Sequence, residues 1–149
     1  MPTLSLNKKG LHDYQVIEKL EAGIALFGPE VKSVKKGQIN LTGSYVTIDQ
    51  KDELKLIGAH INPYKPAAAI QINYDPTRSR KLLVHKKEID YLRGKSREKG
   101  LTIMPISVYT KGGLIKVEIG LVKGKKQFDK REIIKKREVE RDLRRKIKR

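Results

Sequence analysis

The sequence predicts a mainly β fold: an OB-like antiparallel β-barrel with flanking short helices and a basic C-terminal tail. Three observations predict it. Apolar residues alternate over short runs bounded by turn residues, and two pairs of such runs read as hairpins. Helical signals within the first 122 residues are confined to two segments. Beyond them the chain turns strongly basic and carries no proline.

In chain order, Tyr14, Val16, Glu18 and Leu20 alternate with Gln15, Ile17 and Lys19. Apolar residues fall on both faces, as expected of a strand near the core. A bend is expected at Glu21-Ala22-Gly23, after which Gly23 to Phe27 stays extended. Pro29 to about Lys36 predicts a helix: proline suits the first helical position, Glu30 the positive N-terminal end, and Lys35-Lys36 the negative end. Gly37 closes it. Tyr45 to Ile48 and Leu54 to Ile57 flank a polar turn and predict a hairpin. Asn62-Pro63-Tyr64-Lys65-Pro66 and Asp75-Pro76-Thr77-Arg78 read as loops or turns. A second helix is expected from His85 to about Lys99, ending at Gly100 and weakened at Gly94. Met104 to Thr110 and Leu114 to Leu121 flank Lys111-Gly112-Gly113, a second hairpin, with Ile115, Val117, Ile119 and Leu121 on one face. Pro105 is expected at a strand start or on an edge.

The chain divides into a barrel over residues 1–122 and a tail over 123–149. Lys123 to Arg149 holds 14 basic residues against five acidic ones, +9 of the chain's net +17. The body keeps the remaining +8. Charge of this size attracts phosphate backbones, so RNA or DNA is the expected partner. No apolar run reaches membrane-spanning length, the start lacks a signal-peptide pattern, and the chain has no cysteine. A cytoplasmic protein without cofactor or metal is expected.

Catalytic material is sparse. His12, His60 and His85 fall on different elements without metal-binding or general-base spacing, and no phosphate-cradling glycine loop is present. Binding is better supported, and no enzyme activity is expected. Lys123, Lys125, Lys126, Lys130 and Arg131 surround Phe128, giving phosphate contacts around a ring that can stack on an unpaired base or fold back onto the barrel. Arg78, Arg80 and Lys81 form a second basic cluster, before Leu82-Leu83-Val84. Lys8-Lys9, near His12 and Tyr14, forms a third. Glu21 beside Ala22-Gly23 reads either as a functional carboxylate or as one pairing with a body lysine or backbone N–H groups. In the tail, Val139, Leu143 and Ile147 fall at four-residue steps on a basic helix, expected to be disordered when free.

Several segments in order make the resemblance specific: Asn7-Lys8-Lys9, Tyr14, Glu21-Ala22-Gly23-Ile24, Glu30-Val31-Lys32-Ser33, Asn40-Leu41, Ser44-Tyr45, Asp75-Pro76-Thr77-Arg78, Arg80-Lys81-Leu82-Leu83, and Gly124-Lys125-Lys126 through Asp129-Lys130-Arg131. Through them the chain resembles the SmpB family, the small basic partners of transfer-messenger RNA (tmRNA, or SsrA RNA). The resemblance implies a non-catalytic RNA-binding barrel that holds the tRNA-like domain of tmRNA near its elbow. It also implies delivery to stalled ribosomes in trans-translation, the tail turning helical in the decoding centre and empty mRNA channel. Implied partners are tmRNA and small-subunit ribosomal RNA, with elongation factor Tu and alanyl-tRNA synthetase reached through the RNA. Position by position, Glu21, Leu83 and Lys116 match a cluster associated with RNA binding, and Asn7 and Tyr45 match the same surface. Asp129-Lys130-Arg131 and the lysines before them match the part of the tail needed after RNA binding, and His12 a position near the decoding centre. The chain departs from the family at Phe128, often His or Tyr, and at Gly43, often acidic; its tail has no aromatic beyond Phe128. A general RNA-binding ribosomal protein or RNA chaperone is the alternative reading.

Overall fold

The computed structural model describes residues 3–65 and 73–124. In order these form β1 (Thr3–Leu6), α1 (Lys8–Asp13), β2 (Tyr14–Ile24), α2 (Gly28–Lys35), β3 (Ile39–Asn40), β4 (Tyr45–Ile48), β5 (Leu54–Ile57), β6 (His60–Ile61), β7 (Arg80–Leu83), α3 (Lys86–Ser96), β8 (Leu101–Lys111) and β9 (Leu114–Gly124). Antiparallel pairing runs β8-β4-β5-β7-β2-β9, and β9 returns to β8, so six strands close into a ring. β1 docks on the free stretch of β8 beyond its contact with β4, while β3 and β6 form a separate small pair. The OB-like barrel is therefore present, with its ladder edges joined.

Both expected hairpins form, β4–β5 in register from Tyr45↔Ile57 to Ile48↔Leu54, and β8–β9 from Leu101↔Lys123 to Lys111↔Leu114. The alternation read in β9 is obeyed: Val117, Ile119 and Leu121 are buried among Leu54, Leu56, Leu82 and Val108, while Lys116 and Glu118 face away from that core. Burial of each such side chain stabilises by roughly 1.5–3 kcal/mol. A smaller cluster of Met104, Ile106 and Val122 packs against Leu11 and Val16. The helix after Pro29 also forms, and Gly37 closes it with φ +76°, a left-handed conformation that glycine adopts without steric cost.

The structure corrects three expectations. β2 does not bend at Glu21-Ala22-Gly23; it runs unbroken to Ile24, because β9 and β7 hold its two edges there. Its irregularity lies earlier, a bulge between Val16 and Glu18 that leaves Ile17 46% exposed, which is why apolar residues fell on both faces. Pro105 sits inside β8 rather than on an edge or at a start. The register shift between Pro105 and Ser107 is a bulge, where a missing N–H costs no ladder bond. Finally, α3 ends at Ser96, short of Lys99.

α1, β1, β3 and β6 had no sequence expectation. Asn7 explains α1: its Oδ1 accepts from Gly10 N at 3.0 Å as the helix cap, and its Nδ2 donates to Pro105 O at 2.9 Å.

Candidate nucleic-acid interface

Strand register assembles the first surface. Gly23 lies opposite Leu83 on β7 and opposite Lys116 on β9. Paired residues share a face of the sheet, and Glu21, two positions back, shares it too. Leu83 is 52% exposed. A Cβ on Gly23 would meet Leu83 Cβ at 3.3 Å, so the glycine keeps a notch open between the leucine and the lysine.

Glu21 is held in place. Tyr109, paired in register with Lys116, donates its hydroxyl to Glu21 Oε2, and Lys111 Nζ stands 3.4 Å from Oε1. These contacts keep the carboxyl below its usual range, the Tyr109 hydrogen bond first and the lysine charge after it. The same bond, after burial, pushes the Tyr109 hydroxyl up. Both alternatives for Glu21 thus meet in one side chain: it pairs within the body and still presents a carboxylate at the surface. Such a group accepts from a ribose 2′-OH or an exocyclic amine, Lys116 suits a phosphate, and Leu83 suits an apolar base or sugar face.

The second surface lies at the other end of β2. A cleft of about 380 Å³ is lined by Asn7, Lys9, Tyr14, Gly43, Tyr45 and Met104, among others. Tyr14 and Tyr45 are 37% and 47% exposed. Asn7 departs from the surface role expected of it: it is 2% exposed, and its amide is spent on Gly10 and Pro105. It lines the cleft with its amide already committed to the backbone. Lys8 and His12 stand exposed on α1, with His12 Nδ1 3.2 Å from Asp13 Oδ1. Tyr14 pairs with Gly124 and Gln15 with Lys123, so the basic end of the chain leaves the barrel beside this cleft. Nine residues of strand separate Tyr14 from Gly23, about 30 Å. Lys123 is exposed on β9; Lys125, Lys126, Phe128, Asp129, Lys130 and Arg131 lie outside the described residues.

The cluster of Arg78, Arg80 and Lys81 is split between interior and surface. Arg80 is fully buried, contrary to the expectation that it meets RNA. It shares the inward face of β7 with Leu82 and donates to Glu30 Oε2 at 2.6 and 3.1 Å, to Ala59 O at 2.7 Å and to Tyr74 Oη at 2.9 Å. Arg78, half-buried, donates to both Glu30 oxygens, and Phe27 N donates to Oε1 at 2.9 Å. Burial alone would raise the Glu30 carboxyl, but Arg78, the Phe27 N–H and Arg80 outweigh it and hold it at about 2. Burial and the carboxylate push Tyr74 up to about 12. This network ties α2, the 73–79 turn and β7 together. Lys81 remains exposed, 3.8 Å from Glu53 Oε1. Sequence reading missed Phe27, Tyr74, Tyr109 and Lys111; the strict alternation of β7 was the available signal for Arg80.

A closed antiparallel barrel with a basic, register-built surface defines an oligonucleotide-binding module of the OB-like class. The pattern of the SmpB protein family matches residues 4–149. The chain is 53% identical over 149 residues to the SsrA-binding protein of Sulfurihydrogenibium sp., spanning 97% of this chain and 96% of that one. It is 50% identical over 148 residues to the SsrA-binding protein of Rubrobacter xylanophilus, spanning 99% and 97%. A solved chain from the structure described as "tmRNA-SmpB: a journey to the center of the bacterial ribosome" superposes with a TM-score of 0.68 at 43% identity, over 84% of this chain and 85% of that one. The chain belongs to the SmpB family.

Proposed function

We propose that this chain binds the tRNA-like domain of tmRNA and delivers it to stalled ribosomes in trans-translation, without catalysis. The observation that carries the reading is the notch at Gly23, which sets Glu21, Leu83 and Lys116 side by side across three strands. Relatives of near-equal length named SsrA-binding proteins, and a solved relative in a tmRNA complex, support it. The second partner is the RNA of the small ribosomal subunit. Elongation factor Tu and alanyl-tRNA synthetase act on the RNA it holds. In this reading the chain acts in the cytoplasm, where its ribosomal partner works. Among the described residues no helix is long and apolar enough to cross a membrane.

The barrel and the tail divide the task. β9 carries the barrel through Gly124, so the tail proper starts after it. The barrel holds the RNA, while the tail occupies the decoding centre and the empty mRNA channel, both lined with phosphate. Glu21, Lys81, Leu83, Arg78 and Lys116 serve the first step, joined by Lys8 and Tyr45 at the other end of β2; His12, Lys123 and the basic residues around Phe128 serve the second. A chain ended after Gly124 is expected to keep its affinity for the tRNA-like RNA and to lose peptide tagging in a reconstituted stalled-ribosome assay. Loss of both together would contradict the division.

A further inference from the structure

Phe27 is 60% exposed, more than any tyrosine among the described residues. It has no helical duty that explains the ring. Its backbone N–H, not its side chain, engages Glu30, and the positions that a hydrophobic staple of α2 would use are Leu26 and Val31, not the cap residue itself. One face of the ring is covered: the Arg78 guanidinium lies 3.9 Å from its centroid. Among the described residues nothing else is recorded against the ring, in keeping with its 60% exposure.

The stack is rigid from beneath. Arg78 is fixed by both oxygens of Glu30, itself anchored by fully buried Arg80. One carboxylate facing two guanidiniums leaves a single net positive charge under the ring. Its placement also matters. Glu21, Gly23, Ala25 and Phe27 alternate outward along one extended stretch, with Ala25 N bonded to Lys81 O at 2.9 Å. Phe27 therefore lies on the same face as the Glu21–Leu83–Lys116 notch, about 13 Å beyond Gly23.

The geometry points to a further binding site: the Phe27–Arg78 stack is a platform on which one unpaired RNA base stacks, extending the proposed tmRNA surface past the notch. A flat ring backed by a guanidinium attracts any base through its π face, and the charge beneath favours the adjoining phosphate. The site rests on the RNA-binding reading given above.

The test uses the full chain and a transcript of the tRNA-like domain of tmRNA, with 2-aminopurine placed at each unpaired elbow position in turn. Phe27→Ala and Phe27→Leu should each weaken binding roughly 10-fold, abolish the quenching of one labelled position, and leave the salt slope unchanged, since no charge is removed. Phe27→Trp should restore both affinity and quenching. Lys116→Ala serves as the control for the notch. If the Phe27 variants bind and quench as the parent does while Lys116→Ala weakens binding, the platform is overturned and the notch stands. If Lys116→Ala also binds as the parent does, the RNA-binding surface itself is misplaced and the platform falls with it. Because Phe27 makes no buried contact network through its side chain, an unchanged thermal midpoint in Phe27→Ala keeps the binding result interpretable.

Discussion

Glu21 and Lys116 stand on one face of the barrel with opposite charges, and their substitutions should behave differently. Lys116→Ala should weaken binding of the tRNA-like RNA and lower the salt slope by about 1, as for one lost phosphate contact. Glu21→Ala removes a negative charge near a polyanion. If charge alone mattered, binding would tighten; the acceptor role predicts that it weakens, and a filter-binding titration distinguishes the signs. Arg80 offers a parallel contrast. Breaking a buried pair by removing one partner costs about 3–5 kcal/mol, so Arg80→Met should lower stability by that amount. The folded variant should keep the parent's salt slope, because its guanidinium meets Glu30 and not phosphate. Glu30 also sets a pH response. Its carboxyl is lowered from 4.5 to about 2 on folding, so its contribution is fully present above pH 4.5 and is lost as pH falls toward 2. Linkage makes that loss about 3 kcal/mol, measurable by urea unfolding across this range as a slope that Glu30→Gln reduces.

Secondary elements separate what neighbouring residues decide from what distant ones decide. The two hairpins and α2 were legible because their signals are local: turn residues between alternating runs, proline at one helix end and glycine at the other. β1, β3 and β6 were not, since two to four residues carry no periodicity and their pairing comes from partners far along the chain. α1 is six residues long and hangs on the two hydrogen bonds of Asn7. Asn7→Ala should therefore cost about 1–2 kcal/mol, from the lost cap and the orphaned Pro105 carbonyl. Hydrogen exchange should quicken in α1 more than in β9. The same alternation that sent Lys81 and Leu83 outward sent Arg80 inward with Leu82. Reading the three cations as one basic cluster ignored that period of two. The notch was legible only through resemblance, because Gly23, Leu83 and Lys116 are brought together by register, and Tyr109 joins them from a fourth strand.

The whole molecule sets two surfaces about 30 Å apart along β2. The notch and the Phe27 ring lie toward one end, while α1, the Tyr14–Tyr45 cleft and the root of the tail lie at the other. A body that grips a folded RNA at one end and releases a cationic chain at the other can bridge that RNA to a second one. The net charge of +17 draws any nucleic acid, so affinity at low salt says little about the partner. The most direct measurement is competition between the tRNA-like domain of tmRNA and an elongator tRNA for the full chain, over a salt series. The account predicts that preference for the tRNA-like domain persists or grows as salt screens the common phosphate attraction. Equal affinities converging at every salt concentration would contradict it and leave a general RNA-binding barrel.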